Sequence, residues 1–251
     1  MKLFNNEKNK DVSTSTRNPR YRIITLEDPS SIAAESYRRV KVGLEYAEVD
    51  HKVQVIQATS SIQGEGKTTI LLNVAATYAE DKKKVLVIDL DWRRPKLHRA
   101  FGIENKNGIV DVLAGKIKLE EAIKHSDKIP FDCLNRGAKT PNPTALLGSK
   151  ELSEIIEKLR GMYDIILVDC PPVLAVTDSI LISNLCDGAL FVVSQTRSDK
   201  QASKDAIKIL RANSVQILGV VMGEVKTKGN SYYKHYYSSY YGDSSKTSSD
   251  K

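Results

Sequence analysis

An apolar run at residues 53–58 leads within a few positions into Ser61-Ile62-Gln63-Gly64-Glu65-Gly66-Lys67-Thr68-Thr69, which opens a helical pattern over 67–81. No other stretch of the chain constrains the fold as strongly. A strand that turns at once into a helix through a glycine-rich loop gathers backbone N–H groups and a helix N-terminus on one point. Phosphate oxygens suit that point. Lys67 can reach the outer phosphates of a nucleotide, and the Thr68 hydroxyl can ligate Mg²⁺. Ser61 stands where the pattern G-x-x-x-x-G-K-[ST] has its first glycine, and Gly64, Gly66 and the strand–loop–helix context offset that departure. Ser61, Gln63, Gly64, Glu65, Gly66, Lys67, Thr68 and Thr69 form the candidate nucleotide-binding set.

Around this loop the chain alternates strands and helices. Strand-like runs lie at 53–58, 85–89, 131–134, 165–169, 188–194 and 216–222, with helical stretches near 67–81, 109–113, 119–124, 149–160, 178–185 and 200–212. Strands this apolar, separated by helices, predict an α/β fold with a doubly wound, mostly parallel sheet covered on both faces. Ser30 or Ser31 is placed to cap a further helix reaching about residue 48. Residues 1–30 read as a mobile polar arm, 31–223 as one domain, and 224–251 as a flexible tail. The 251 residues allow one large core. The longest apolar runs, 165–168 and 189–193, fall far short of the ~18–20 residues of a membrane span, and the start MKLFNNEKNKD is not of signal-peptide type. Cys133, Cys170 and Cys186 read as reduced thiols. A cytosolic chain without its own anchor is expected. Its net charge of +7 permits contact with anionic partners without identifying one.

Two strands end in carboxylates: Val85-Leu86-Val87-Ile88-Asp89-Leu90-Asp91-Trp92-Arg93 and Ile165-Ile166-Leu167-Val168-Asp169-Cys170-Pro171-Pro172. Ligands of open parallel sheets sit beyond the carboxyl ends of the strands, so Asp89, Asp91 and Asp169 should converge beside the phosphate loop. A lone Asp169 would read as a turn cap. With the loop and the second pair present, shared magnesium work is the stronger reading, and Asp169 fits the second-carboxylate role. Asp89 is the candidate nearest the γ-phosphate, with Asp91 at the edge.

Six of the eleven tyrosines, Tyr232, Tyr233, Tyr236, Tyr237, Tyr240 and Tyr241, fall within ten residues of a tail that has no aliphatic residue from Lys226 onward. Aromatic rings bury well only where a core receives them. Taken alone, the tail fits a sticky low-complexity segment or a nucleic-acid-binding arm at least as well as a substrate. The phosphate loop and the three aspartates upstream favour the substrate.

Together these motifs resemble the bacterial tyrosine kinases of the capsule and exopolysaccharide type, in their stand-alone cytoplasmic form. The resemblance spans residues 30–241 and rests on the phosphate loop, DxDxR as Asp89, Asp91 and Arg93, DxPP as Asp169, Pro171 and Pro172, the tyrosine cluster, and Pro141-Asn142-Pro143-Thr144 before Leu146-Leu147. It implies a P-loop NTPase fold and ATP- and Mg²⁺-dependent phosphorylation of protein tyrosine. Lys67, Asp89, Asp91, Arg93 and Asp169 would be catalytic, Thr68, Asp89 and Asp169 metal-binding, and the six tail tyrosines the first acceptors. The family's E-x-x-R-x-x-R ring-contact motif reads here as Glu35, Arg38 and Lys41 in the 31–48 helix; lysine in the last place keeps the charge but loses the bidentate fork. Also implied are a ring homo-oligomer, a separate transmembrane activator that recruits the chain to the inner membrane face, a cognate tyrosine phosphatase and further protein substrates, but no nucleic acid.

A flexible segment spans about 5–6 Å × √n, so the tail tyrosines wander about 15–25 Å from the last strand. A domain of this size is about 40–45 Å across, and transfer to a touching subunit is expected. Two rivals remain. A partitioning or septum-positioning ATPase shares the fold, but this chain has Ile62 and Gln63 where those proteins carry lysine and glycine. A basic single-stranded nucleic-acid-binding protein explains the tail, not the three carboxylates.

Overall fold

The computed structural model describes residues 21–47 and 52–225. The elements run α1 (Ile24–Glu27), α2 (Ile32–Tyr46), β1 (Val55–Ser60), α3 (Lys67–Glu80), β2 (Val85–Asp89), α4 (Leu97–Phe101), α5 (Ile109–Leu113), α6 (Leu119–Ala122), β3 (Lys124–Ser126), β4 (Ile129–Leu134), α7 (Pro143–Leu147), α8 (Lys150–Arg160), β5 (Ile165–Asp169), α9 (Asp178–Ser183), β6 (Gly188–Ser194), α10 (Lys200–Ala212) and β7 (Ile217–Gly223). One seven-stranded sheet has the order β3-β4-β2-β5-β1-β6-β7, parallel except for the β3–β4 hairpin. β1 and β5 are buried along their whole length, which is why their sequences are near-continuous apolar runs rather than alternating ones.

Helices cover both faces, as the strand–helix alternation requires. Leu71, Val74 and Ala75 of α3 pack with Val87 and Leu167 on one face, together with Leu44 of α2. Leu152, Ile156 and Leu159 of α8 meet Leu86, Ile88 and Val168 on the other. α10 covers β6 through Ala206 and Leu210 on Phe191. Ser31 caps α2 by accepting from the Ala34 N–H at 3.1 Å; such a cap contributes about 1 kcal/mol.

The mobile arm expected to reach residue 30 needs a correction. Tyr21 and Ile23 belong to the main core, and Asn73 of α3 pins the segment. Its Oδ1 accepts from the Thr25 N–H at 3.1 Å, and its Nδ2 donates to the Arg22 carbonyl at 3.0 Å. A polar sequence hides this because the anchor is a single buried amide forty-eight residues away. Residues 1–20 of the arm and the tail from residue 226 onward, with all six candidate tyrosines, lie outside the described residues. Among the described residues, no helix is long and apolar enough to cross a membrane, and all three cysteines are free.

Candidate active site at the carboxyl end of the sheet

β1 is central, and the chain leaves it through the phosphate loop into α3. Gly64 (φ 89°) and Gly66 (φ 91°) take the left-handed backbone that the tight turn needs. Ser61 acts as a brace in place of the first glycine. Its hydroxyl donates to both Glu65 carboxylate oxygens, at 2.9 and 3.0 Å, while the Ile62 N–H donates to the same carboxylate at 2.8 Å. Glu65 is fully buried and folded back on its own loop, so its side chain stabilises the loop rather than facing a nucleotide. Gln63 accepts from Arg94 at 2.5 Å. Thr69 lies in the first turn of α3, where its carbonyl accepts from Asn73.

Lys67 is 2% exposed and donates to Ser60 Oγ at 3.2 Å. Burial pulls its ammonium below the ordinary lysine range, while the Asp169 charge opposes that shift. Thr68 donates to Asp169 Oδ2 at 2.6 Å. β2 and β5 pair in parallel with Asp89 directly opposite Asp169, so two fully buried carboxylates stand on neighbouring strands, with main chains ~4.8 Å apart. Burial, above all, pushes both above the usual carboxylate range, and for Asp89 the Asp169 charge adds to it. The main-chain N–H groups of Lys96 and Leu97 hold Asp89 Oδ2 at 2.8 and 2.9 Å. One oxygen of each carboxylate, Asp89 Oδ1 and Asp169 Oδ1, is buried without a partner. Buried polar atoms are rarely left so, and at this place a cation or nucleotide group would satisfy them.

Asp91 lies past the strand end, 5% exposed. Burial and then Asp169 raise its carboxyl, against the pull of Lys96 and Lys67. Lys67 therefore acts on Asp169 and Asp91, while Asp89 sits deeper, under the main-chain N–H pair. Among the described residues, no group of three or more His, Cys, Asp or Glu side chains could cage a metal. The donor set of Thr68, Asp169 and Asp89 fits Mg²⁺ held jointly by a few protein oxygens, water and phosphate.

Arg93 departs from the grouping read from the sequence. Its guanidinium is forked onto the buried Asp178 at the start of α9, at 2.7 and 3.3 Å, and also donates to Thr144 at 3.1 Å. It ties the β2–α4 loop to α7 and α9. The next residue, Arg94, is the one that touches the phosphate loop. Arg94 and Lys96 escaped the sequence reading although they follow the aspartate pair directly; their position in the basic run was the available signal. Arg38 of α2 is forked onto Glu80 at 2.8 Å and also meets Glu35, and Lys41 pairs with Asp81. All three motif residues are thus engaged within the chain, the two cations with the C-terminal end of α3.

The AAA domain family matches residues 53–197. The tyrosine-protein kinase YwqD of Bacillus subtilis is 36% identical over 214 residues, covering 85% of this chain and 90% of that protein. The tyrosine-protein kinase wzc of Salmonella typhi is 30% identical over 88% of this chain, which spans only 31% of wzc. The solved kinase domain of the Escherichia coli tyrosine kinase ETK superposes with a TM-score of 0.79 at 28% identity, over 84% of this chain and 82% of that one. The septum site-determining protein MinD of Pyrococcus horikoshii, complexed with Mg-ADP, superposes less well, at 0.58 and 27%, over 73% and 76%. The P-loop fold is shared with MinD, but sequence and structure together place this chain in the bacterial tyrosine-protein kinase family.

Proposed function

We propose that the chain is an ATP-dependent protein-tyrosine kinase that phosphorylates its own C-terminal cluster, Tyr232, Tyr233, Tyr236, Tyr237, Tyr240 and Tyr241, and through it controls capsule or exopolysaccharide synthesis and export. One observation carries the chemistry: two register-paired carboxylates beside the phosphate loop each keep a buried oxygen without a partner. A carboxylate that only caps a turn would have both oxygens satisfied.

In this reading Lys67 and the loop N–H groups hold the β- and γ-phosphates. Thr68, Asp169 and Asp89 would hold Mg²⁺, which supplies charge neutralisation of the phosphates when bound. The tyrosine oxygen forms the new bond to the γ-phosphorus as the bond to the bridging oxygen breaks and ADP leaves. A tyrosine hydroxyl has a pKa of ~10, so its proton needs an acceptor. Asp89 is the candidate acceptor: as a weak base it suits a loose transition state in which the proton leaves late. Arg93 contributes by anchoring the loop that carries Asp89 and Asp91. The buried Lys67 at the start of α3 and the Mg-ADP held by MinD support ATP with Mg²⁺ as the ligand pair.

Transfer between subunits of a ring is part of the proposal, with the activator at the inner membrane face and a tyrosine phosphatase as reset. Each phosphate adds about −1.5 to −2 charges, so full modification outweighs the net +7 and loosens the ring. The test is purified protein with Mg-ATP and the cytoplasmic segment of the activator, with phosphate mapped by mass spectrometry. Phosphate on residues 232–241 that disappears in Lys67→Met is expected, and its absence from that segment in the active protein overturns the reading.

A further inference from the structure

The last strand ends beside the phosphate loop. A side-chain carbon added at Gly223 would stand 3.2 Å from Ile70 of α3 and 4.0 Å from the Glu65 carbonyl. The tail root thus lies two strand positions from β1, or about 10 Å. Tail tyrosines with a reach of about 15–25 Å can meet their own site as readily as a neighbour's. Tether length does not choose between them.

At the root, Glu224 has a left-handed backbone, φ 55°, a conformation that glutamate keeps only where its surroundings over-determine it. Its Oε2 accepts from Ser194 Oγ and Thr196 Oγ1, both at 2.5 Å, and faces Arg197 Nε at 3.5 Å. The Gln195 N–H donates to the Gly223 carbonyl at 3.0 Å. Ser194 ends β6, and Gln195, Thr196 and Arg197 open the β6–α10 loop, which is itself bonded to the phosphate loop. Ser198 Oγ donates to the Glu65 carboxylate and accepts from the Ser194 N–H at 2.6 Å, and the Arg197 guanidinium lies over Gly64. Hydrogen bonds therefore run from Glu65 through Ser198 and Ser194 to the residue at which the tail departs. The carboxylate points inward to this loop, while Val220, Met222 and Val225 beside it are all more than half exposed.

We propose that Glu224 is a positioning residue for the substrate tail: its clasp directs the root along the outer edge of β7, away from its own active site, and so favours delivery to a neighbouring subunit. This rests on the reading of the tail as substrate. The test compares the wild type with Glu224→Gly, which relieves the left-handed backbone and removes the carboxylate, and with Glu224→Gln, which keeps the length and loses the charge. Initial tail phosphorylation per molecule is followed over a wide dilution series, with a soluble Glu/Tyr copolymer as external substrate. The wild-type rate falls on dilution, whereas Glu224→Gly retains a concentration-independent rate about 5-fold or more above it at the dilute end, as an intramolecular tether supplies. Glu224→Gln lies between them, and copolymer activity is unchanged. A Glu224→Gly rate that falls with dilution like the wild type, a wild-type rate already independent of concentration, or copolymer activity that drops in parallel overturns the clasp. Copolymer phosphorylation with no phosphate on the wild-type tail sinks the substrate reading itself, and the clasp with it.

Discussion

Asp187 and Asp169 stand at opposite ends of the same parallel sheet, and the fold treats their charges in opposite ways. At the end where the strands begin, Asp187 accepts from the N–H groups of Gln54 and Val55 at 2.8 and 2.7 Å and from the Arg160 fork at 2.9 and 2.7 Å. Burial works against its charge, but Arg160 and the two main-chain donors outweigh it, and the carboxyl lies below the usual range. At the end where the strands finish, Asp169 has one bond, from Thr68, and Asp89 opposite it is short of a partner too. Burial dominates there and both carboxyls lie above the usual range. A carboxylate with every lone pair engaged is closing the fold. One left short of partners at the carboxyl end of the sheet keeps a lone pair that a ligand can take.

The largest effect expected from this contrast is on activity at the unsatisfied end. Asp169→Asn should lower phosphoryl transfer to the copolymer by about 10²–10³-fold or more while the protein still folds, measured as initial rate beside circular dichroism. Activity within a few-fold of the wild type would break the comparison. The satisfied end should answer in stability instead. Asp187→Ala leaves Arg160 and two main-chain donors without their acceptor, at a cost of about 3 kcal/mol. In a domain of this size that lowers Tm by about 6–12 °C, with the rate on the copolymer kept within about 2-fold.

The smallest effect, and the sharpest, is in the pH dependence without nucleotide or metal. Asp89 keeps its proton in the folded state at pH values where the unfolded chain has released it, so the native state binds more protons. Its contribution to stability therefore falls as pH rises from about 4 through the raised pKa. Asp187 has the reverse sign: its contribution is full above about pH 4 and is lost as pH falls through its depressed pKa. Asp89→Asn should thus make the nucleotide-free protein more stable than the wild type at pH 8, by about 1–3 kcal/mol, and no more stable near pH 4. Urea unfolding at both pH values decides it; equal curves at pH 8 would mean that Asp89 is satisfied after all.

Much of the fold was legible because it is written in local patterns. β2, β5 and β6 occupy 85–89, 165–169 and 188–194, and α5 and α10 occupy 109–113 and 200–212, as read from apolar runs and helical periodicity. β3 was missed because Lys124–Ser126 is a three-residue polar edge strand, and α4 because His98 and Arg99 interrupt the apolar residues of its short LHRAF sequence. Convergence of the aspartates on the phosphate loop was legible too, since a parallel sheet brings successive strand ends to one edge.

What local patterns do not carry is partner choice. Nothing in the order of residues says that Arg93 belongs to Asp178 eighty-five positions away while Arg94 belongs to Gln63, that Glu65 turns back onto Ser61 and Ser198, or that Arg38 and Lys41 engage Glu80 and Asp81. The sequence by itself determined the sheet, the phosphate loop and the carboxylates at the strand ends, because glycine placement and apolar period act over a few residues. Only the tertiary structure decided which charges are paired and which are left open, because burial and distance, not spacing along the chain, set the energy of a charge.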